Sequence, residues 1–141
     1  MTRNITVILF LILSFFYNSI LKANISIIAT VDNEIITNYD IKKESDYLKI
    51  LNPNLSQLNN DQILKLAKNS LINEMIKKKE IEKFVSTKSE NLYADRYLKN
   101  LYSKLNFNNE EEFKNFLKQK NNLSLDEIKE KIKVELFWNE L

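Results

Sequence analysis

A small, mainly helical bundle of about five helices, preceded by a short β-hairpin, is the fold class this sequence predicts, and three observations predict it. The chain of 141 residues has no glycine and a single proline, Pro53, so little interrupts a helix. From Asp61 onward apolar residues recur at three- and four-residue intervals, the period of a helix with one buried face. Ahead of that, two β-branched runs flank Asp32-Asn33, a pair that tolerates the positive φ of a two-residue hairpin turn. Apolar content of 44% and charged content of 28% are those of an ordinary globular chain.

The first 23 residues, MTRNITVILFLILSFFYNSILKA, read as an address. Arg3 sits in a short polar start, a dense apolar run covers Ile5 to Phe16, and Ala23 offers a small residue for cleavage. That is the layout of a signal peptide, and the densest run is shorter than the roughly 20 residues of a membrane span. Leu21 is larger than the residue preferred at that place before a cut. The alternative is an uncleaved anchor extending through Tyr17, Ile20 and Leu21, the one way in which the sequence meets a membrane. Residues 24–141 are then a single domain. Removing Arg3 and Lys22 takes 21 basic residues to 19, equal to the 19 acidic ones. A neutral chain lacks the electrostatic footprint of a nucleic-acid binder, so that partner class is not expected.

Each element follows from local chemistry. Ile27, Ile28 and Val31 form one strand run, and Ile35 and Ile36 begin the next. Thr37 precedes Asp40 by three, a capping-box spacing that opens a helix at Ile41. That helix carries Ile41, Leu48 and Leu51 on one stripe and ends before Asn52-Pro53. After the polar linker NPNLSQLNN, the strongest helical pattern runs from Asp61 to Phe84. Its apolar face (Ile63, Leu64, Ala67, Leu71, Met75, Ile76) is too broad for a coiled-coil seam and suits the central helix of a bundle. The KKKE run at 77–80 reads as a solvated face. A further helix starting near Thr87 or Ser89 uses Ala94, Leu98, Leu101 and Leu105. A short one opens at Asn108-Asn109 and presents Phe113, Phe116 and Leu117. The last starts at Ser124, boxed with Glu127, and carries Ile128, Ile132, Leu136 and Leu141.

The composition excludes several chemistries. With no Cys and no His, the chain has no disulfide, no thiol nucleophile, no Ser-His-Asp triad and no usual zinc site. Lacking glycine, it has no Gly-rich phosphate loop. Glu110 to Glu112, Asp126 and Glu127 stand at helix starts, where acids stabilise the helix end without any active site. Ser86, Ser89 and Ser124 read as caps. No catalytic, metal-ligating or cofactor-binding residue is expected. The second half is rich in aromatics, and these have two readings, core packing or an apolar groove for peptide segments. For the groove the candidate contacts are Tyr93, Tyr97, Phe113, Phe116, Phe137 and Trp138. Adjacent Phe137 and Trp138 cannot both bury on one narrow stripe.

VDNEIITNYDI, followed by a helix, a polar linker and LAKNSLINEMIKKKEIEKF, resembles the N-terminal domain of SurA-type periplasmic chaperones. In that family a segment of the form V-N-D-E-I-I-T-x-x-D-I follows a signal peptide, and a helix of the form L-I-x-E-x-L-x-x-x-E comes after it. Val31 to Ile41 matches the first, with Asp-Asn in place of Asn-Asp, and Leu71, Ile72, Glu74 and Glu80 fit the second. FKNFLKQKNNLSLDEIKEKIKVELFWNEL is similar to the family's last helices, with Lys129 or Lys131 where arginine is frequent. The resemblance covers about residues 26–141. It implies an ATP-independent periplasmic holdase for unfolded outer-membrane proteins. Relatives usually carry parvulin prolyl isomerase domains, for which this chain leaves no room, so no enzymatic activity is carried over.

In those relatives the N-terminal strands pair with a C-terminal segment. The pattern VELFWNEL ends on an apolar residue within a running helix. The sequence therefore leaves two readings, a truncated copy or a stand-alone domain whose strand edge (Ile27, Ala29, Val31, Ile35) meets another protein. A subunit-like module docking on a folded partner is the alternative to the holdase.

Overall fold

A computed structural model describes residues 24–87, 91–119 and 123–141. The address segment expected at 1–23 lies outside these residues, as does Ser89. Strand β1 (Ile27–Val31) pairs antiparallel with β2 (Glu34–Thr37), and five helices follow: α1 (Asn38–Leu51), α2 (Asn60–Glu82), α3 (Leu92–Lys104), α4 (Glu110–Gln119) and α5 (Leu125–Glu140). The expected class, a hairpin leading a five-helix bundle, is the one observed. Among the described residues no helix is long and apolar enough to cross a membrane.

The hairpin turns at Asp32-Asn33 with Val31 opposite Glu34, and Asp32 takes φ 52°. Lys79 of α2 pairs with the Asp32 carboxylate and holds the turn against the bundle. A bulge at Ile28 shifts the register, so that Ile27 faces Thr37 while Ala29 faces Ile36. Beyond it Ala29, Val31 and Ile36 point inward onto Ile41, Ala67 and the half-buried Leu48, Leu64 and Leu71. This first core fixes the hairpin to α1 and α2.

Capping chemistry sets where the helices begin. Thr37 and Asp40 form the expected box: Thr37 Oγ1 accepts from the Asp40 amide, and Asp40 accepts from the Thr37 amide at 2.8 Å. Ser124 and Glu127 do the same at α5. A third box, Asn59 with Gln62, opens α2 inside what reads as linker. The linker itself is a 3-10 turn over Pro53–Gln57, capped by Asn52 Oδ1, which accepts from the Asn54 amide.

Two further cores complete the bundle. Leu98, Tyr102, Phe113, Leu117, Leu123 and Ile128 join α3, α4 and α5, with Tyr47 and Ile50 of α1 against them. Ile81, Val134 and Phe137 close the far end between α2 and α5. α2 spans 23 residues, packs on both α1 and α5, and so is the central helix expected.

Four local expectations need correction. Leu51 is exposed, and the α1 contacts at that end come from Leu48 and Ile50, one to each of the larger cores. Ile76 is exposed because it lies about 100° around the helix from Met75. α3 begins at Leu92 behind an Asn91 cap; Thr87 is a buried residue whose hydroxyl donates to Glu82 at 3.0 Å. The KKKE run is not simply solvated, since Lys77 pairs with Glu135 at 2.7 Å and Lys79 with Asp32.

Candidate functional site

An apolar groove of about 390 Å³ lies where the end of α1, the 3-10 turn and the α3–α4 corner meet. Ile50, Leu105, Phe107 and Phe116 line it, and Asp46, Lys49 and Ser56 supply polar groups at its wall. The placement of Phe107 is a consequence of how α3 ends. Asn106 takes φ 65°, its amide donates to Ser103 O at 3.0 Å, and the Phe107 amide donates to Tyr102 O at 3.0 Å. This is the Schellman pattern, with asparagine at the left-handed position that glycine would usually hold. The reversal turns the Phe107 ring back onto Phe113 and Phe116, at 5.3 and 5.0 Å between centroids. Phe113 is fully buried and packs against both of these rings.

A second concavity, about 370 Å³, opens between α1, α2 and α5, and its chemistry is ionic. At its base Lys131 lies between two carboxylates, pairing with Glu74 and standing 2.8 Å from Glu44 Oε2. The Glu44 contact is an ion pair. Ser70 donates to the other oxygen of Glu44 at 2.7 Å, and the Tyr47 ring lies 5.1 Å from the ammonium. Glu44 itself is only 2% exposed, and inside the bundle two carboxyl groups face one ammonium, an excess of acid over base.

The energetics follow from that excess. Burial, with the Glu44 charge adding to it, raises the Glu74 pKa above the usual carboxylate range despite Lys131 and Lys78. Burial alone would lower Lys131, but attraction from Glu74 and Glu44 outweighs it, and the amine is held protonated above its ordinary range. Burial and then the charges of Glu44, Glu74 and Glu135 raise the Tyr47 phenol. At the rim, burial works against Glu127, yet hydrogen bonds from Lys43 and Ser124 hold its carboxyl below the usual value. An amine kept charged is no base, so Ser70 gains no activation from Lys131. Among the described residues no cluster of acids is placed to hold a metal ion.

The six aromatic candidates do not form one surface. Phe116 lines the groove. Phe113 and Phe137 belong to the core, because each lies on the inward stripe of its helix, and neither presents a ring to solvent. Tyr93 and Tyr97 are exposed one turn apart on α3, with the Arg96 guanidinium 5.6 Å from the Tyr93 ring. Trp138 turns outward where Phe137 turns in, with the Lys77 ammonium 5.9 Å from its ring. In the hairpin, Ala29 and Val31 pack inward, while Ile27 and Ile35 are exposed. Sequence reasoning missed Ile50, Leu105 and Phe107 as groove residues. The usable signal was asparagine before an aromatic at a helix end in a chain without glycine. Compared with protein-family models, with curated proteins and with solved structures, the chain gives no match in any of the three.

Proposed function

We propose that residues 24–141 are a SurA-like, ATP-independent chaperone domain, exported to the periplasm by the N-terminal segment. It would hold unfolded outer-membrane protein segments in the apolar groove. The groove carries this reading: an open concavity floored by Phe107 and Phe116 takes apolar side chains, while Asp46 and Lys49 keep its wall polar. The test is light scattering from an unfolded outer-membrane protein diluted into the purified chain. Suppression of aggregation is expected, and its absence at several-fold excess sinks the reading. A Phe116→Ser variant with unchanged circular dichroism should lose most of the suppression; if it does not, clients bind elsewhere.

The hairpin favours a second reading. Among the described residues β1 and β2 pair only with each other, so each keeps an outer edge with unpaired backbone groups. A folded partner adding a strand along Ile27 to Val31 would satisfy one of them. Recovery of one stoichiometric partner from native extract, and no suppression of aggregation, would favour this docking module.

A further inference from the structure

The outer face of the hairpin is an uncharged, apolar surface that the other described residues leave uncovered. Ile25, Ile27, Ile28 and Ile35 are 65, 65, 42 and 52% exposed, although isoleucine is among the residues most often buried. The bulge is the cause. Ile28 is the extra residue between the Ile27–Thr37 and Ala29–Ile36 pairs, so strict alternation is broken and neither Ile27 nor Ile28 joins the inner core. Thr30 and Thr37 complete the surface. The charged residues of the hairpin, Asp32 and Glu34, sit at the turn and in register with inward Val31.

The chain also states what lies beside this face. Asn38 clamps the approach to β1: its amide donates to Ser26 O at 2.9 Å, its Oδ1 accepts from the Ser26 amide, and its Nδ2 donates to Asn24 O at 2.8 Å. In the sequence, the uncleaved-anchor reading extends through Leu21, four residues before Ile25. We propose that in the chain that keeps its N-terminal segment, the anchored reading on which this inference rests, the outer face is a lipid-contact surface lying on the headgroup–acyl boundary of a bilayer. Apolar side chains suit that boundary, and only four residues of chain separate Leu21 from Ile25, which keeps the face close to it. The surface is distinct from the groove and from the strand edges, which lie in the plane of the hairpin, so the proposal stands apart from client binding.

The chain has no cysteine, so single labels are unambiguous. Full-length protein carrying Ile28→Cys, Thr30→Cys or Ile35→Cys, with a Tyr97→Cys control on α3, is labelled with an environment-sensitive fluorophore. Each is reconstituted into vesicles of phosphatidylethanolamine and phosphatidylglycerol with spin-labelled lipids, after circular dichroism confirms the fold. Blue-shifted emission and strong lipid quenching at 28, 30 and 35, with neither at 97, are the expected result. Labels at 28, 30 and 35 that stay as wet as the one at 97 would overturn the proposal. So would a blue shift without lipid quenching, which would mean that protein covers the face, whether the N-terminal segment or a second copy.

Discussion

At Lys131 one ammonium answers two carboxylates, and three helices depend on the outcome, since Glu44 comes from α1, Glu74 from α2 and the lysine from α5. Lys131→Met leaves both acids buried without a cation and should cost about 3–5 kcal/mol at neutral pH in urea unfolding. The pH dependence has a definite sign. The folded pKa of Glu74 is raised by burial, so the folded state binds its proton more tightly than the unfolded chain does. Its contribution is complete below the ordinary carboxylate value and is lost as pH rises through the folded one. Glu127 runs the other way: its folded pKa is lowered, so its contribution is present above the ordinary value and lost as acid is added. Glu74→Gln should therefore flatten the decline in stability between mildly acid and neutral pH, whereas Glu127→Gln should remove part of the loss at low pH. Urea midpoints measured across pH check both. Nothing in the local sequence marks these residues as partners, because they are 30 or more positions apart and each reads as a surface charge.

The groove is set at the scale of elements, by the way α3 stops. Asn106 at φ 65° is tolerated because its short polar side chain costs little in the left-handed region, where a β-branched residue costs more. Asn106→Val should destabilise by about 1–2 kcal/mol and displace Phe107, whereas Asn106→Gly should stay within about 1 kcal/mol of the parent. Thermal unfolding checks the first effect, and the ring-current shifts of Phe107 and Phe116 in proton spectra check the second. Helix starts were legible where a hydroxyl residue and an acid stood three apart, as at Thr37 and Ser124. The Asn59–Gln62 box was hidden in a stretch rich in asparagine, where no single one stands out. The start of α3 differs from the expected one for another reason, the presence of competing hydroxyl residues. Thr87 and Ser89 resemble caps, but Asn91 is the residue whose side chain accepts from the Tyr93 amide.

Across the whole molecule the three cores divide the work, and Phe113 shows how structure and site share residues. It packs against Tyr102 and against the groove residues Phe107 and Phe116. Phe113→Ala should cost about 3–5 kcal/mol in chemical unfolding and weaken any binding in the groove as Phe107 and Phe116 lose their support. Trp138, by contrast, is partly exposed under Lys77, so Trp138→Ala should cost far less than that. By itself the sequence determined the hairpin, the order and number of the helices, most of their caps, and the exclusion of thiol, imidazole and zinc chemistry. Those rest on neighbours within a turn or two, or on composition. Only the tertiary structure decided which aromatics are core and which line a groove, that Lys131 joins Glu44 and Glu74, and that four isoleucines of the hairpin segment face outward. Each of these depends on which helix faces which, and on a register shift of one residue. Periodicity tells that a face is apolar, but the neighbour that covers it is set by packing between elements distant in the chain.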